Sequence, residues 1–237
     1  MAVYACSDLH GCLNMYKAIK EYIQPEDKVY FLGDAGDRGP EPWETIKHIY
    51  SDPQFVYIKG NHEQMLVDAM IEYEQNDERG GHNFSHLEHN GGSGTFYKWS
   101  QNKEEIRREW RSRLKKLPYV QEYVNESGIR IIMTHAGFTP AYNSEDEIVI
   151  PCEEDCLWDR DHFKDPWPHQ AKNVVIIHGH TPTIYLAEDV QVPKDELEPG
   201  ALWYAKNHKI CLDSGCFFTG YATLLNLDTF DEEVFSI

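Results

Sequence analysis

The strongest constraint on the fold is an alternation in the opening third of the chain. Short apolar runs at 3–7, 28–32 and 55–58 are separated by segments whose apolar residues recur at helical spacing. Leu13, Tyr16, Ile19 and Ile23 predict an amphipathic helix over 12–23, ended by Pro25. A second helix is expected over 42–50, with Pro42 near its first turn, and a third over 63–73 with Leu66, Ala69, Met70 and Tyr73 on one face. Strand–helix order of this kind predicts a parallel sheet with helices packed on its faces, an α/β fold.

The middle of the chain reads differently. Residues 75–98 are rich in Asn, Gly and His and predict a loop or irregular cap. A charged helix over 103–117 turns Ile106, Trp110 and Leu114 inward and stops at Pro118. Segments 119–124 and 129–134 flank Asn125-Glu126-Ser127-Gly128, a hairpin pattern. Further on come a buried strand at 174–177, a loop over 186–200, and a tail from about Lys209 that alternates strand and turn. With no linker and no internal repeat, a single domain over 1–237 is expected.

The chain carries 22 basic and 40 acidic residues, a net charge of −18. Such a surface repels nucleic acid and anionic membranes, so neither is an expected partner. The sequence has no apolar run of bilayer-spanning length and no signal-peptide pattern at its start, so a cytoplasmic location with reduced thiols is expected. Three residues separate Cys152 from Cys156, which is not zinc-ribbon spacing, and most of the six cysteines read as small core residues.

Chemistry collects where the predicted strands end. The segments there are Ser7-Asp8-Leu9-His10-Gly11, Gly33-Asp34-Ala35-Gly36-Asp37-Arg38-Gly39, Gly60-Asn61-His62-Glu63, His135-Ala136-Gly137 and His178-Gly179-His180-Thr181. Open α/β sheets bind ligands beyond the carboxyl ends of their strands, so these five loops are expected to converge. A lone Asp or His at a strand end is ordinarily a helix cap. Five coinciding motifs are not explained that way. Asp, His and Asn without cysteine form a nitrogen/oxygen donor set suited to manganese, iron or zinc. Asp8, His10, Asp34, Asn61, His135 and His180 exceed the needs of one catalytic ion. Two ions about 3.5–4 Å apart, sharing a carboxylate, use them all. Arg38 supplies a planar fork that matches phosphate oxygens. His178 is expected in a packed role, and His82, His86 and His89 in solvent or at a cleft rim. Trp99 and Trp110 read as core, and Asp228, Asp231, Glu232 and Glu233 as a solvated face.

In this order, SDLHG, GDAGDRG, GNHE, HAG and GHT closely resemble the phosphoprotein phosphatases within the calcineurin-like metallophosphoesterases, above all the compact bacterial and phage serine/threonine phosphatases. The resemblance implies two mixed sheets packed face to face with helices outside. It implies Asp8 and His10 on a first metal, Asp34 as the bridging carboxylate, and Asn61, His135 and His180 on a second, with Mn2+ the expected ion and Fe or Zn alternatives. His62 resembles the acid that protonates the leaving oxygen, with Asp37 as its partner. Arg38, Asn61 and, in LWDRDHF, Arg160 resemble the phosphate-binding groups. Pro182 stands where many wider metallophosphoesterases have another histidine, which favours the phosphoprotein phosphatase branch. The implied substrate is phosphoserine or phosphothreonine in a protein or peptide. Symmetrical diadenosine tetraphosphate hydrolysis is the alternative, and an inactive phosphate-binding scaffold the alternative from another class.

Overall fold

The structure, a computed structural model, describes residues 1–76, 81–193 and 197–236. In chain order the first elements are β1 (Val3–Cys6), α1 (Leu13–Tyr22), β2 (Lys28–Phe31), α2 (Pro42–Ser51), β3 (Phe55–Tyr57) and α3 (Asn61–Asn76). Three more helices follow, α4 (His82–His89), α5 (Ser93–Ser100) and α6 (Glu104–Lys115). The hairpin is β4 (Val120–Val124) and β5 (Arg130–Thr134), and a small ribbon is β6 (Ala141–Tyr142) and β7 (Ile148–Val149). Then come α7 (Glu153–Trp158), a 3-10 turn (Asp161–Lys164), β8 (Val174–His178) and α8 (Thr183–Asp189). The chain finishes with β9 (Leu202–Tyr204), β10 (Lys209–Cys211), α9 (Cys216–Thr219), β11 (Tyr221–Asn226) and β12 (Glu232–Ser236).

Two mixed five-stranded sheets result, ordered β12-β11-β1-β2-β3 and β4-β5-β8-β10-β9. Each has three adjacent parallel strands, β1, β2 and β3 in one and β5, β8 and β10 in the other, with antiparallel strands outside them. Side-chain alternation explains the layering. Val3, Ala5, Tyr30 and Leu32 point into a core shared with Ile131, Met133, Val175, Ile177 and Ile210 of the opposite sheet. Their neighbours Cys6, Val29 and Phe31 point the other way, under the helices. Ile132, Val174 and Ile176 likewise line the outer face of the second sheet. Strands buried on both faces must be apolar throughout, which is why 174–177 reads as an unbroken run.

Three expectations need correction. On α6, Trp110 and Leu114 are buried as expected, but Ile106 is 39% exposed. Within 75–98, the described residues form α4 and α5 rather than a loop, while 77–80 lie outside the described residues. Helices of eight residues are marginal by themselves. Here Leu87, Phe96 and Trp99 are buried, and Phe96 packs on Phe84 and Tyr73 with ring centroids 4.9 and 5.6 Å apart. Tertiary burial therefore overrides the weak local signal. Within 186–200, α8 continues to Asp189 before the chain turns irregular; 194–196 lie outside the described residues. In addition, α3 begins at Asn61, so Asn61 and His62 occupy a first helical turn. Among the described residues no helix is long and apolar enough to cross a membrane.

Candidate active site

The parallel strands of both sheets deliver their carboxyl ends to one side of the sandwich. There the structure gathers the predicted residues. Asp8, His10, Asp34, Asp37, Asn61, His62, His135 and His180 are all buried, and Arg38 and Arg160 are exposed above them. A cleft of about 170 Å³ is lined by Asp34, Arg38, Asn61, His62, Arg160 and His180, with Asn90 and Trp158 at its rim. A larger depression of about 710 Å³ lies elsewhere, beside Arg130, Tyr142 and Lys172. It holds no histidine, so chemistry rather than size locates the site.

Backbone strain marks the same place. Asp8, His10, Asp34, Asp37, Arg38 and His180 all have positive φ, between 40° and 67°. Non-glycine residues adopt this left-handed region at a cost of order 1–3 kcal/mol each, and they persist there only when the surroundings hold them. Glycines supply the space. A Cβ on Gly179 would lie 2.0 Å from Asp8 Oδ2, and one on Gly60 would lie 2.2 Å from Asp34 Oδ1.

Asp34 is the hub. Its Oδ1 accepts the backbone N–H of His62 at 3.0 Å, in the first turn of α3. Its Oδ2 lies 3.6 Å from His10 Nε2, 3.8 Å from His62 Nε2 and 3.5 Å from His135 Nε2. Ligand atoms of His10, Asp34 and His62 form one compact group, and those of Asp8, Asp34 and His135 another. Asn61 Oδ1 adjoins the second, 2.8 Å from His135 Nε2 and 3.0 Å from His180 Nδ1. Asp34 is the residue that the two groups share, with Asp8 in the group of His135 and His10 in the group of His62.

The imidazoles are held so that one nitrogen faces inward. Those of His10 and His135 place Nδ1 on the carbonyl oxygens of Gly36 and Leu32, at 3.0 and 2.8 Å, leaving Nε2 toward Asp34. Backbone anchoring of the far nitrogen is the usual support of a metal-ligating histidine. Burial pulls the His10 pKa down to about 3. His180 also lies well below its ordinary value, through burial and then His135 and Arg160. Burial works against charge on His135 too, but Asp34 and Asp8 outweigh it and push its pKa up to about 10. Burial acts against ionised Asp34 as well, yet His135, His62 and His10 hold its pKa well below the carboxylate range. Asp8 is raised far above that range by burial and by Asp213. Asp8 Oδ1 is buried and makes no hydrogen bond, while Oδ2 accepts the backbone N–H of His180 at 3.1 Å. An unpaired buried carboxylate oxygen, beside inward imidazole nitrogens and a second carboxylate, fits divalent cations, whose charge would offset its desolvation.

Beside the cage, His62 Nδ1 lies 2.7 Å from Asp37 Oδ2. Asp37 is itself held by Thr95, whose hydroxyl donates to Oδ1 and accepts the Asp37 backbone N–H at 3.1 Å. Burial disfavours the His62 cation, but Asp34 and Asp37 together raise its pKa above the histidine value. Arg38 spans two imidazoles, with Nη1 2.8 Å from His10 Nε2 and Nη2 2.9 Å from His62 Nε2. A guanidinium only donates, so that second contact requires neutral His62 and conflicts with the raised pKa. The carboxylates decide the charge once Arg38 turns away to another acceptor.

Arg160 makes no ion pair with Asp159 or Asp161; its Nε donates to His180 Nε2 at 3.1 Å. His178 takes the packed role expected of it, with Nε2 2.7 Å from the Tyr204 hydroxyl. His86 stacks on Trp158 at the cleft rim, although it stands on a helix rather than a loop. Asp228 departs from the solvated reading by accepting the Tyr123 hydroxyl at 2.8 Å. Sequence reasoning missed Glu63, Thr95 and Asp213. Glu63 accepts from the N–H groups of Asp34, Ala35 and Gly60 and from the Tyr57 hydroxyl, so it clamps the Asp34 turn from below. Its place in GNHE was a visible signal. Asp213 has no motif of its own; only its burial beside Asp8 reveals it.

A model of the calcineurin-like phosphoesterase family matches residues 1–212. A symmetrical bis(5'-nucleosyl)-tetraphosphatase of Pseudomonas syringae pv. tomato is 24% identical, over 98% of this chain and 88% of its own length. A crystal structure of a putative diadenosine tetraphosphatase superposes with a TM-score of 0.60 at 15% identity, covering 99% of this chain and 92% of the other. A protein serine/threonine phosphatase from Saccharomyces cerevisiae superposes with a TM-score of 0.61 at 14% identity, covering 100% and 80%.

Proposed function

Because this chain belongs to the calcineurin-like phosphoesterases, we propose that its metal-dependent phosphoester hydrolysis is directed at symmetrical dinucleoside tetraphosphates, which it splits into two nucleoside diphosphates. The observation that carries the chemistry is Asp34 Oδ2, within 3.5–3.8 Å of three imidazole nitrogens. The substrate choice is supported by likeness to a symmetrical tetraphosphatase along nearly the whole chain.

In this reading, following the resemblance, Asp8, His10 and Asp34 would hold one divalent ion, and Asp34, Asn61, His135 and His180 would hold the other. Manganese, iron and zinc all suit this nitrogen/oxygen donor set, and manganese is the one that the resemblance implies. When bound, the ions supply Lewis-acid polarisation of the phosphoryl group and a water nucleophile at neutral pH. The chain's residues do the rest. Arg38, Arg160 and the Asn61 amide grip the phosphoryl oxygens. As Arg38 moves onto the phosphate it leaves His62 Nε2, and Asp34 and Asp37 then favour a proton there. Water adds to phosphorus and loses a proton to solvent, the opposite P–O bond breaks, and His62 gives its proton to the departing oxygen. Thr95 and Asp37 keep the imidazole aimed throughout.

A specific observation favours a second reading, phosphoserine or phosphothreonine in proteins. Arg38, Arg160 and Asn61 surround one small cleft, matching the three free oxygens of a terminal phosphoryl group. The two are separated by offering diadenosine tetraphosphate, a phosphoserine peptide and p-nitrophenyl phosphate to purified protein, with manganese and with chelator. ADP as the sole nucleotide product supports the first reading. AMP with ATP overturns symmetrical cleavage, and release from the peptide alone installs the second reading. Manganese binding with no turnover of any substrate would leave a phosphate-binding scaffold.

A further inference from the structure

One aromatic side chain lining the cleft, Trp158, is unused by the chemistry, and a second, His86, stacks on it from outside. Trp158, the last residue of α7, is 36% exposed, and His86 is exposed on α4. Their rings are near-parallel, with planes 16° apart and centroids 5.9 Å apart. The Trp158 ring also meets the His180 ring edge-on, centroids 6.2 Å apart at 83°. This indole therefore stands directly beside the cage. It walls the cleft that contains Arg38 and Arg160, and also a second groove of about 580 Å³ with Val67, Ile71, Leu157 and Lys115.

We infer that Trp158 and His86 form a stacking platform for the nucleobase of the leaving nucleotide, which makes Trp158 a specificity-determining residue. The inference rests on the phosphohydrolase reading of the cage and adds what the site selects. A base offers a flat π-face that any aromatic ring can stack against, whereas a serine or threonine leaving group offers none. An exposed indole continuous with a phosphate-gripping cleft is placed to hold the far end of a molecule whose phosphates lie between Arg38 and Arg160. The two rings come from separate helices, so each can be removed independently.

The test is binding of ADP and of pyrophosphate to the manganese-loaded protein, by calorimetry, without turnover. Trp158→Ala is expected to cut the preference for ADP over pyrophosphate by roughly 10–100-fold, the size of one aromatic–base contact. His86→Ala should cut it in the same direction by less, and Trp158→Phe should restore most of it. If Trp158→Ala does not fold, His86→Ala carries the comparison alone. Equal weakening of both ligands overturns the inference, as does a wild-type protein with no preference for ADP or one that prefers phosphotyrosine to ADP. Base-dependent binding without cleavage of diadenosine tetraphosphate would keep the platform and sink the substrate reading. Cleavage without base-dependent binding would do the reverse.

Discussion

His62 Nδ1 and Asp37 Oδ2 lie 2.7 Å apart with both side chains 2% exposed, and Thr95 holds the other oxygen of the same carboxylate. A histidine so placed keeps its proton above the ordinary histidine range, against the opposing effect of burial, because Asp34 and Asp37 both raise its pKa. As the acid for the departing oxygen it is active when protonated, so kcat should fall as pH rises through that elevated value. Removing one carboxylate with Asp37→Asn should move the alkaline limb to lower pH. His62→Ala should cost about 10²–10⁴ in kcat on a poor leaving group. A pH–rate profile of the manganese-loaded enzyme checks both. An unmoved limb in Asp37→Asn would remove His62 from the role.

The His135 proton should be displaced by metal. Without ions its pKa is raised to about 10, burial being outweighed by Asp34 and Asp8, so at neutral pH the site holds a proton where an ion must bind. Ligation needs the neutral imidazole. Ion uptake at pH 7 should therefore release protons, and affinity should rise with pH until His135 deprotonates unaided near pH 10. Calorimetric titration of manganese in buffers of different ionisation enthalpy measures the protons released. Identical heats in all buffers would sink the prediction.

Lys209 should make stability climb at alkaline pH. Its ammonium is fully buried, donating to Thr139 Oγ1 at 2.6 Å and to His162 O at 2.8 Å, with His162 Nδ1 at 3.0 Å. Burial pulls its pKa down to about 8, against Asp165 and Asp159, which raise it. A lysine lowered on folding binds its proton more weakly in the native state than in the unfolded chain. The penalty is therefore present below about pH 8 and relieved between there and the unfolded value of 10.5. Relative to Lys209→Met, the wild type should gain up to roughly 3 kcal/mol over that window, at about 1.4 kcal/mol for each tenfold loss of proton affinity on folding. Urea melts at several pH values test this, and parallel curves for the two proteins would contradict it.

Much of this protein is legible in one dimension because its information is local. The apolar runs at 29–32 and 174–177 are buried on both faces of their sheets, so no charged residue interrupts them. Four of the six expected ligands, His10, Asp34, Asn61 and His180, stand next to a glycine, and at Gly60 and Gly179 a Cβ would collide with the side chains of Asp34 and Asp8. Residues 82–100 were illegible for the opposite reason. Their helices owe their existence to Phe96 and Trp99 packing against Tyr73, and to Phe84 packing against Phe96, contacts that leave no local periodicity. Thr95 and Asp213 are invisible for a related reason, since each gains its place by facing Asp37 or Asp8 across the fold.

The amino-acid order by itself determined the α/β class, the nitrogen/oxygen donor set and the arginine beside it, because those follow from residue type, spacing and strand ends. Only the tertiary structure decided which oxygen of Asp34 faces three imidazoles, that Asp8 leans toward His135, and that Trp158 meets His86 at the rim. Such relations depend on the separation and orientation of side chains far apart in the chain. These are set when two sheets close on a common core, and composition and periodicity carry no record of them.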